Sequence, residues 1–152
     1  MSYECEVIEM ESQPAVAVRE VTTYHSLPRT IGGAFASLRR YLDEHALIRA
    51  GPMYVKYAGP PAHDVTVEVG VPVPKNAPEA PGFTSASLPG GRVATCLHRG
   101  HYSDLPHAYR ALEKWVLKEG LATTGEAYEL YLNDGERTPP AAWLTRVAMP
   151  LA

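Results

Sequence analysis

The apolar positions of the chain fall into two helical stripes and a set of alternating runs. Leu27, Ile31, Phe35, Leu38 and Leu42 recur at helical spacing, and so do Leu105, Tyr109, Leu112 and Val116. Each set lines one face of an amphipathic helix. Ser26 and Asp104 stand where a side-chain cap is wanted, Pro28 and Pro106 fall in the first turn, and Gly51 and Gly120 are the expected stops. A β-rich run precedes each helix, Ala15–Val18 in one case and Arg92–Leu97 in the other. Further strands follow. Val65, Val67, Val69 and Val71 alternate with Thr66, Glu68 and Gly70, while Tyr128, Leu130 and Leu132 alternate with Glu129, Tyr131 and Asn133. A last strand is expected at about Trp143–Met149, after Thr138-Pro139-Pro140.

The same order of elements is thus read twice, and short segments match in register with it. Tyr24-His25-Ser26-Leu27-Pro28 aligns with Tyr102-Ser103-Asp104-Leu105-Pro106, and Gly51–Tyr57 aligns with Gly125–Tyr131. The prediction is a tandem duplication of a strand–helix–strand–strand unit, an α+β domain spanning 1–152. Its first half is about 1–73 and its second about 90–152. The proline-bearing stretch of about 74–89 reads as the linker.

Alternation also predicts a binding surface. A strand packs its apolar face on the helix, so the valines of 65–71 face inward and Thr66 and Glu68 outward. The same logic turns Glu129 and Tyr131 away from the second helix. If the halves meet edge to edge, their outward faces form a curved antiparallel sheet whose concave side is a central ligand cleft. The aligned halves set Val55 against Glu129, which gives one apolar wall and one acidic wall and favours an amphipathic ligand. Gly32 and Gly33 interrupt the first stripe at a cost of about 1 kcal/mol each. Either the helix approaches the sheet or a ligand closely there, or it begins after Gly33.

Composition narrows the class. Hydrophobic residues make up 45% and charged residues 20% of the 152, a folded globular balance, and the net charge of −3 offers no handle on nucleic acid. Neither a basic-then-apolar leader nor a run of ~18 apolar residues is present, so no membrane association and a cytoplasmic location are expected. Cys5 and Cys96, distant in sequence, form neither a CxxC nor a disulfide framework and read as small apolar residues in a reducing compartment.

The second half, with Leu97-His98-Arg99-Gly100-His101-Tyr102-Ser103-Asp104-Leu105, Tyr109-Arg110-Ala111-Leu112 and Tyr128-Glu129-Leu130-Tyr131-Leu132-Asn133-Asp134, resembles the GyrI-like effector-binding domain. Met149-Pro150 matches that family's ending, and Leu27-Pro28 and Asp64–Val73 extend the resemblance over nearly the whole chain. The resemblance implies a pseudo-two-fold domain that binds diverse lipophilic or cationic compounds, with Glu129 as the pocket acid. Such domains in regulators are fused to a helix-turn-helix module for which this chain has no residues, so a stand-alone member is expected. Some stand-alone members are thought to hydrolyse cyclopropane-bearing natural products. That gives an alternative enzyme reading with Glu129 and Tyr131 as catalytic residues.

The candidate ligand-binding residues are Glu129, Tyr131, Tyr57, Tyr102, Tyr24, Glu68 and Trp143. A strand carboxylate attracts an organic cation, and tyrosine faces add ~0.5–2 kcal/mol each. Against this, Glu129 also fits an ion pair with Arg146, Glu68 a solvated strand acid, and each aromatic a core position. His98, His101, Asp104 and His107 have ligand chemistry but are spread over a strand, a turn and a helix start, so no metal is expected. No cofactor is implied. No GxSxG supports a serine nucleophile. The expected partner is a small molecule, with no direct nucleic acid. A regulator or a gyrase-type protein partner is a further expectation.

Overall fold

The computed structural model describes residues 3–58, 64–133 and 137–152. Among them are eight strands and two long helices, and every strand pairing described below is antiparallel, an α+β architecture. The strands are β1 (Cys5–Met10), β2 (Gln13–Thr23), β3 (Met53–Ala58), β4 (Asp64–Pro72), β5 (Thr84–Leu88), β6 (Gly91–Arg99), β7 (Ala127–Tyr131) and β8 (Leu144–Pro150). The helices are α1 (Leu27–Glu44) and α2 (Leu105–Lys118).

The chain divides into two compact units, residues 12–89 and residues 1–11 with 90–152. In the 12–89 unit β4 pairs with β3 on one side and β2 on the other, and β5 pairs with β2. In the other unit β8 pairs with β7 and β6, and β1 pairs with β6. Each unit therefore carries a strand–helix–strand–strand run plus one outer strand. The expected linker stretch contains one of those outer strands. β5, with sequence Thr84-Ser85-Ala86-Ser87-Leu88, is polar and mostly exposed. Because only Leu88 is buried, no apolar alternation marks it, and the preceding prolines read as loop. The stretch is also held down: the Tyr41 hydroxyl donates to the Pro78 carbonyl, and Phe83 packs 4.9 Å from the Tyr41 ring.

Both helices form where the stripes place them, each with its proline in the first turn. Their caps differ from expectation. Ser26 and Asp104 adopt helical backbone angles, so neither side chain folds back onto the helix. The Ser26 N–H instead donates to Thr23 Oγ1 at 3.2 Å, and α2 is preceded by a 3₁₀ turn, Tyr102–Asp104, capped by His101 Nδ1. Gly120, at φ +68°, ends α2, and Leu121 N–H donates back to Val116 O. The corresponding stop of α1 is Ala46, at φ 51°, with Leu47 N–H donating to Leu42 O; Gly51 lies beyond it. Helix α1 runs unbroken through Gly32 and Gly33. Both face solvent, and a Cβ at either would meet nothing within 4 Å, so close approach to the sheet does not explain them.

Packing fixes which strand face each helix covers. Helix α2 seats Leu105, Ala108, Leu112 and Val116 on Ala94 and Cys96 of β6 and Val147 and Met149 of β8. In the other unit, Thr22 of β2 and Thr30 of α1 share a 2.8 Å hydroxyl contact, and Thr22 is the register partner of Val65. Val65, Val67, Val69 and Val71 therefore face α1, as alternation predicts. Among the described residues, no helix is long and apolar enough to cross a membrane.

Candidate functional site

Glu129 faces α2, and Tyr131 with it, opposite to the sequence expectation for both. The register partner of Glu129 is Val147, which belongs to the core beneath α2. Tyr128, Glu129 and Leu130 are all buried, so β7 is covered on both faces and its alternation carries no signal of which face is inward. Arg146 pairs in register with Leu130 and Leu97, on the opposite face, and reaches toward Thr95 Oγ1 at 3.5 Å. An ion pair between it and Glu129 is thereby replaced by a different arrangement.

That arrangement is a carboxylate held by two phenols. Glu129 is 2% exposed. Tyr109, from α2, donates its hydroxyl to Oε2 at 2.6 Å, and Tyr131, two residues along β7, donates to Oε1 at 2.6 Å. Burying a carboxylate costs several kcal/mol unless its oxygens are met by donors. Short O–H···O⁻ bonds of this kind are among the strongest neutral-donor contacts available. Tyr109 was expected as part of the apolar helix stripe. Its spacing fits that role, and no sequence signal showed that its hydroxyl would meet the acid.

Aromatic rings continue from this group. Tyr102 meets Tyr131 edge-on, with centroids 5.4 Å apart, and stacks on Trp143 at 4.3 Å and 15°. The His101 ring lies 5.4 Å from Trp143. Several bonds hold Trp143 in place: its Nε1 donates to Thr138 O at 2.8 Å, and its own carbonyl accepts from Gly100 N–H. Asn133 adds a bracket, donating to Ala142 O and accepting from Leu144 N–H, so it positions the turn that delivers the indole. Asp134, the last residue of the family-like motif, lies outside the described residues. Four of the seven expected ligand residues, Glu129, Tyr131, Tyr102 and Trp143, therefore form one connected group, and Tyr109 completes it.

The other three belong to the 12–89 unit. Tyr24 is 55% exposed. Tyr57 pairs in register with Val67, on the face toward α1. Glu68 turns away from α1 as expected, into a clamp. It accepts from Tyr54 at 2.9 Å and from Arg19 Nε at 3.0 Å. Burial first, and the Glu68 carboxylate second, push the Tyr54 phenol well above its usual range. A phenol whose pKa is raised on folding stabilises the fold fully below the unfolded value near 10.0, and that contribution drains away as pH rises past it. Urea midpoints measured between about pH 8 and about pH 11 are expected to fall, and Tyr54→Phe to flatten the decline. An unchanged slope in that variant would exclude Tyr54 as the cause.

The histidines diverge. His98 is fully buried, with Nδ1 3.0 Å from the Tyr3 hydroxyl and Nε2 3.0 Å from the His101 carbonyl. A carbonyl only accepts, so Nε2 carries the proton. His107 Nδ1 lies 2.9 Å from Arg110 Nη2. Among the described residues, no group of three or more His, Cys, Asp or Glu side chains is arranged to hold a metal ion.

Fold and site together define a small α+β domain presenting a buried, tyrosine-bound acid beside stacked aromatics. The chain belongs to the GyrI-like small molecule binding domain family, whose model matches residues 3–152. Among solved structures it is similar to the EcmrR C-terminal domain, with TM-score 0.86 and 19% identity over 100% of this chain and 99% of that one. It is also similar to SAV2435 bound to tetraphenylphosphonium, with TM-score 0.68 and 12% identity over 100% of this chain and 94% of that one. A hydrolase from Listeria innocua gives TM-score 0.67 and 11% identity over 98% and 92% of the respective chains. A comparison with curated protein sequences gave no match.

Proposed function

We propose that this domain binds lipophilic organic cations, with Glu129 supplying the negative charge and Tyr131, Tyr102 and Trp143 the aromatic faces. The observation that carries this reading is the buried Glu129 carboxylate, bonded at both oxygens by Tyr109 and Tyr131 and adjoining the Tyr131–Tyr102–Trp143 ring chain. The phenols keep the acid in place, and the π-faces favour a soft, poorly hydrated cation over a compact, strongly hydrated one such as ammonium. Binding of tetraphenylphosphonium by SAV2435 supplies the probe. Titrating it into the full chain is expected to change Trp143 fluorescence saturably, with ammonium salts at equal ionic strength giving no change. Trp115 is the second tryptophan, so a Trp143→Phe control assigns the signal. Absence of saturable binding across a panel of aromatic cations would sink the proposal.

The second reading is hydrolysis of cyclopropanoid compounds by the Glu129–Tyr131 pair, supported by the hydrogen bond that couples the two and by the hydrolase-named neighbour. Incubation with cyclopropanoids, followed by mass spectrometry, separates the readings. Product formed by the native chain and absent with Glu129→Gln favours the enzyme; unchanged compound favours the binder.

A further inference from the structure

Cys5 and Cys96 stand directly opposite each other in the β1–β6 ladder, although 90 residues separate them in sequence. Antiparallel partners have Cα atoms about 4.5–5.5 Å apart, inside the range of about 4.4–6.8 Å that a disulfide spans. Both side chains lie on the α2 side: Cys96 belongs to the buried core under α2, and Cys5 packs against it partly buried. Cys96 Sγ also lies 3.7 Å from the Ala108 carbonyl of α2.

We propose that this cross-strand dithiol is a covalent modification site, closing to an intramolecular disulfide when glutathione disulfide is the oxidant. Cys5, the less buried of the two, is the entry point. Its thiolate attacks one sulfur of glutathione disulfide, the S–S bond breaks, and one glutathione thiolate leaves. The Cys96 thiolate then attacks the Cys5 sulfur of the mixed disulfide, forming the Cys5–Cys96 bond and expelling the second glutathione thiolate. The two glutathione thiolates take up the two thiol protons, so two cysteines are oxidised and one glutathione disulfide is reduced. The resting state is the dithiol. Burial pushes Cys96 up to about 12, against a smaller opposing pull from Arg146, and burial raises Cys5 as well. The bond would tie the first strand of the chain to β6, closing a loop of about 90 residues and raising thermal stability by restricting the unfolded chain. The inference is independent of any ligand at Glu129.

The test incubates the full chain with excess glutathione disulfide. The expected product is monomeric, lighter by two hydrogens, and yields one non-reducing peptide joining Cys5 to Cys96. Dithiothreitol reverses it, and the oxidised form melts at a higher temperature than the reduced one. Cys96→Ser should stop at the glutathione adduct on Cys5. If that variant does not fold, the native chain alone decides: after oxidation, neither thiol should take up iodoacetamide in denaturant. A stable glutathione adduct on native Cys5, disulfide-linked dimers, or two thiols still alkylatable while a reference dithiol in the same solution is oxidised would each overturn the proposal.

Discussion

Glu129→Gln is expected to weaken tetraphenylphosphonium binding by about ten- to a hundredfold while leaving the fold intact. A cation whose charge centre is held off by its phenyl rings would sit about 6 Å from the carboxylate. At an effective dielectric of about 20, Coulomb's law gives about 2.8 kcal/mol for that separation, close to a hundredfold, and residual solvent screening lowers it. Glutamine keeps the shape of the side chain. Its carbonyl still accepts from one tyrosine, and its amide donates to the other, whose hydroxyl turns to accept. The charge is therefore removed without orphaning Tyr109 or Tyr131. Triphenylphosphine oxide, aromatic but uncharged, should bind both forms equally. Calorimetry showing equal affinity of the variant and the native chain for the cation would end the electrostatic role of Glu129.

Gly70→Ala is expected to destabilise the fold by about 2 kcal/mol, opposite in sign to what strand preference suggests, since alanine normally gains about 0.5–1 kcal/mol over glycine there. Tyr54 and Gly70 are register partners, and the hydroxyl end of the Tyr54 ring lies against the glycine: a Cβ at Gly70 would fall 2.6 Å from the ring's Cε1. The ring has little room to retreat. Tyr54 is fully buried, and its hydroxyl is fastened to Glu68, which Arg19 also holds. Removing the ring should remove the penalty. In a Tyr54→Leu background, Gly70→Ala is expected to be neutral or stabilising, a coupling of at least about 1 kcal/mol in urea denaturation. Additive effects of the two substitutions would show that the clash is not the cause.

The Arg19–Glu68–Tyr54 clamp and the Tyr109–Glu129–Tyr131 group differ in how far alternation alone orients their acids. Glu68 lies on a strand whose other face is all valine, so its outward direction followed from alternation alone. Glu129 lies on a strand buried on both faces, where alternation gives no direction, and its orientation depends on which face α2 covers. Tyr109 illustrates the same limit from the helix side. Its position on the stripe was legible, but the destination of its hydroxyl was set by the strand beneath it. β5 and the Cys5–Cys96 pairing escaped notice for a related reason, because edge strands of polar composition and partners 90 residues apart leave no local pattern.

By itself, then, the sequence determined the two helices, the strand–helix–strand–strand order in each part of the chain, the family resemblance, and the identity of most of the aromatic residues that gather around Glu129. These depend on local periodicity and short motifs, which one stretch of chain carries without help. The tertiary structure decided which way Glu129 points, which phenols hold it, that Tyr54 lies over Gly70, and that two distant thiols stand opposite each other. Each of those depends on strand register and on which sheet face a helix covers, and both are set by the packing of residues far apart in the chain.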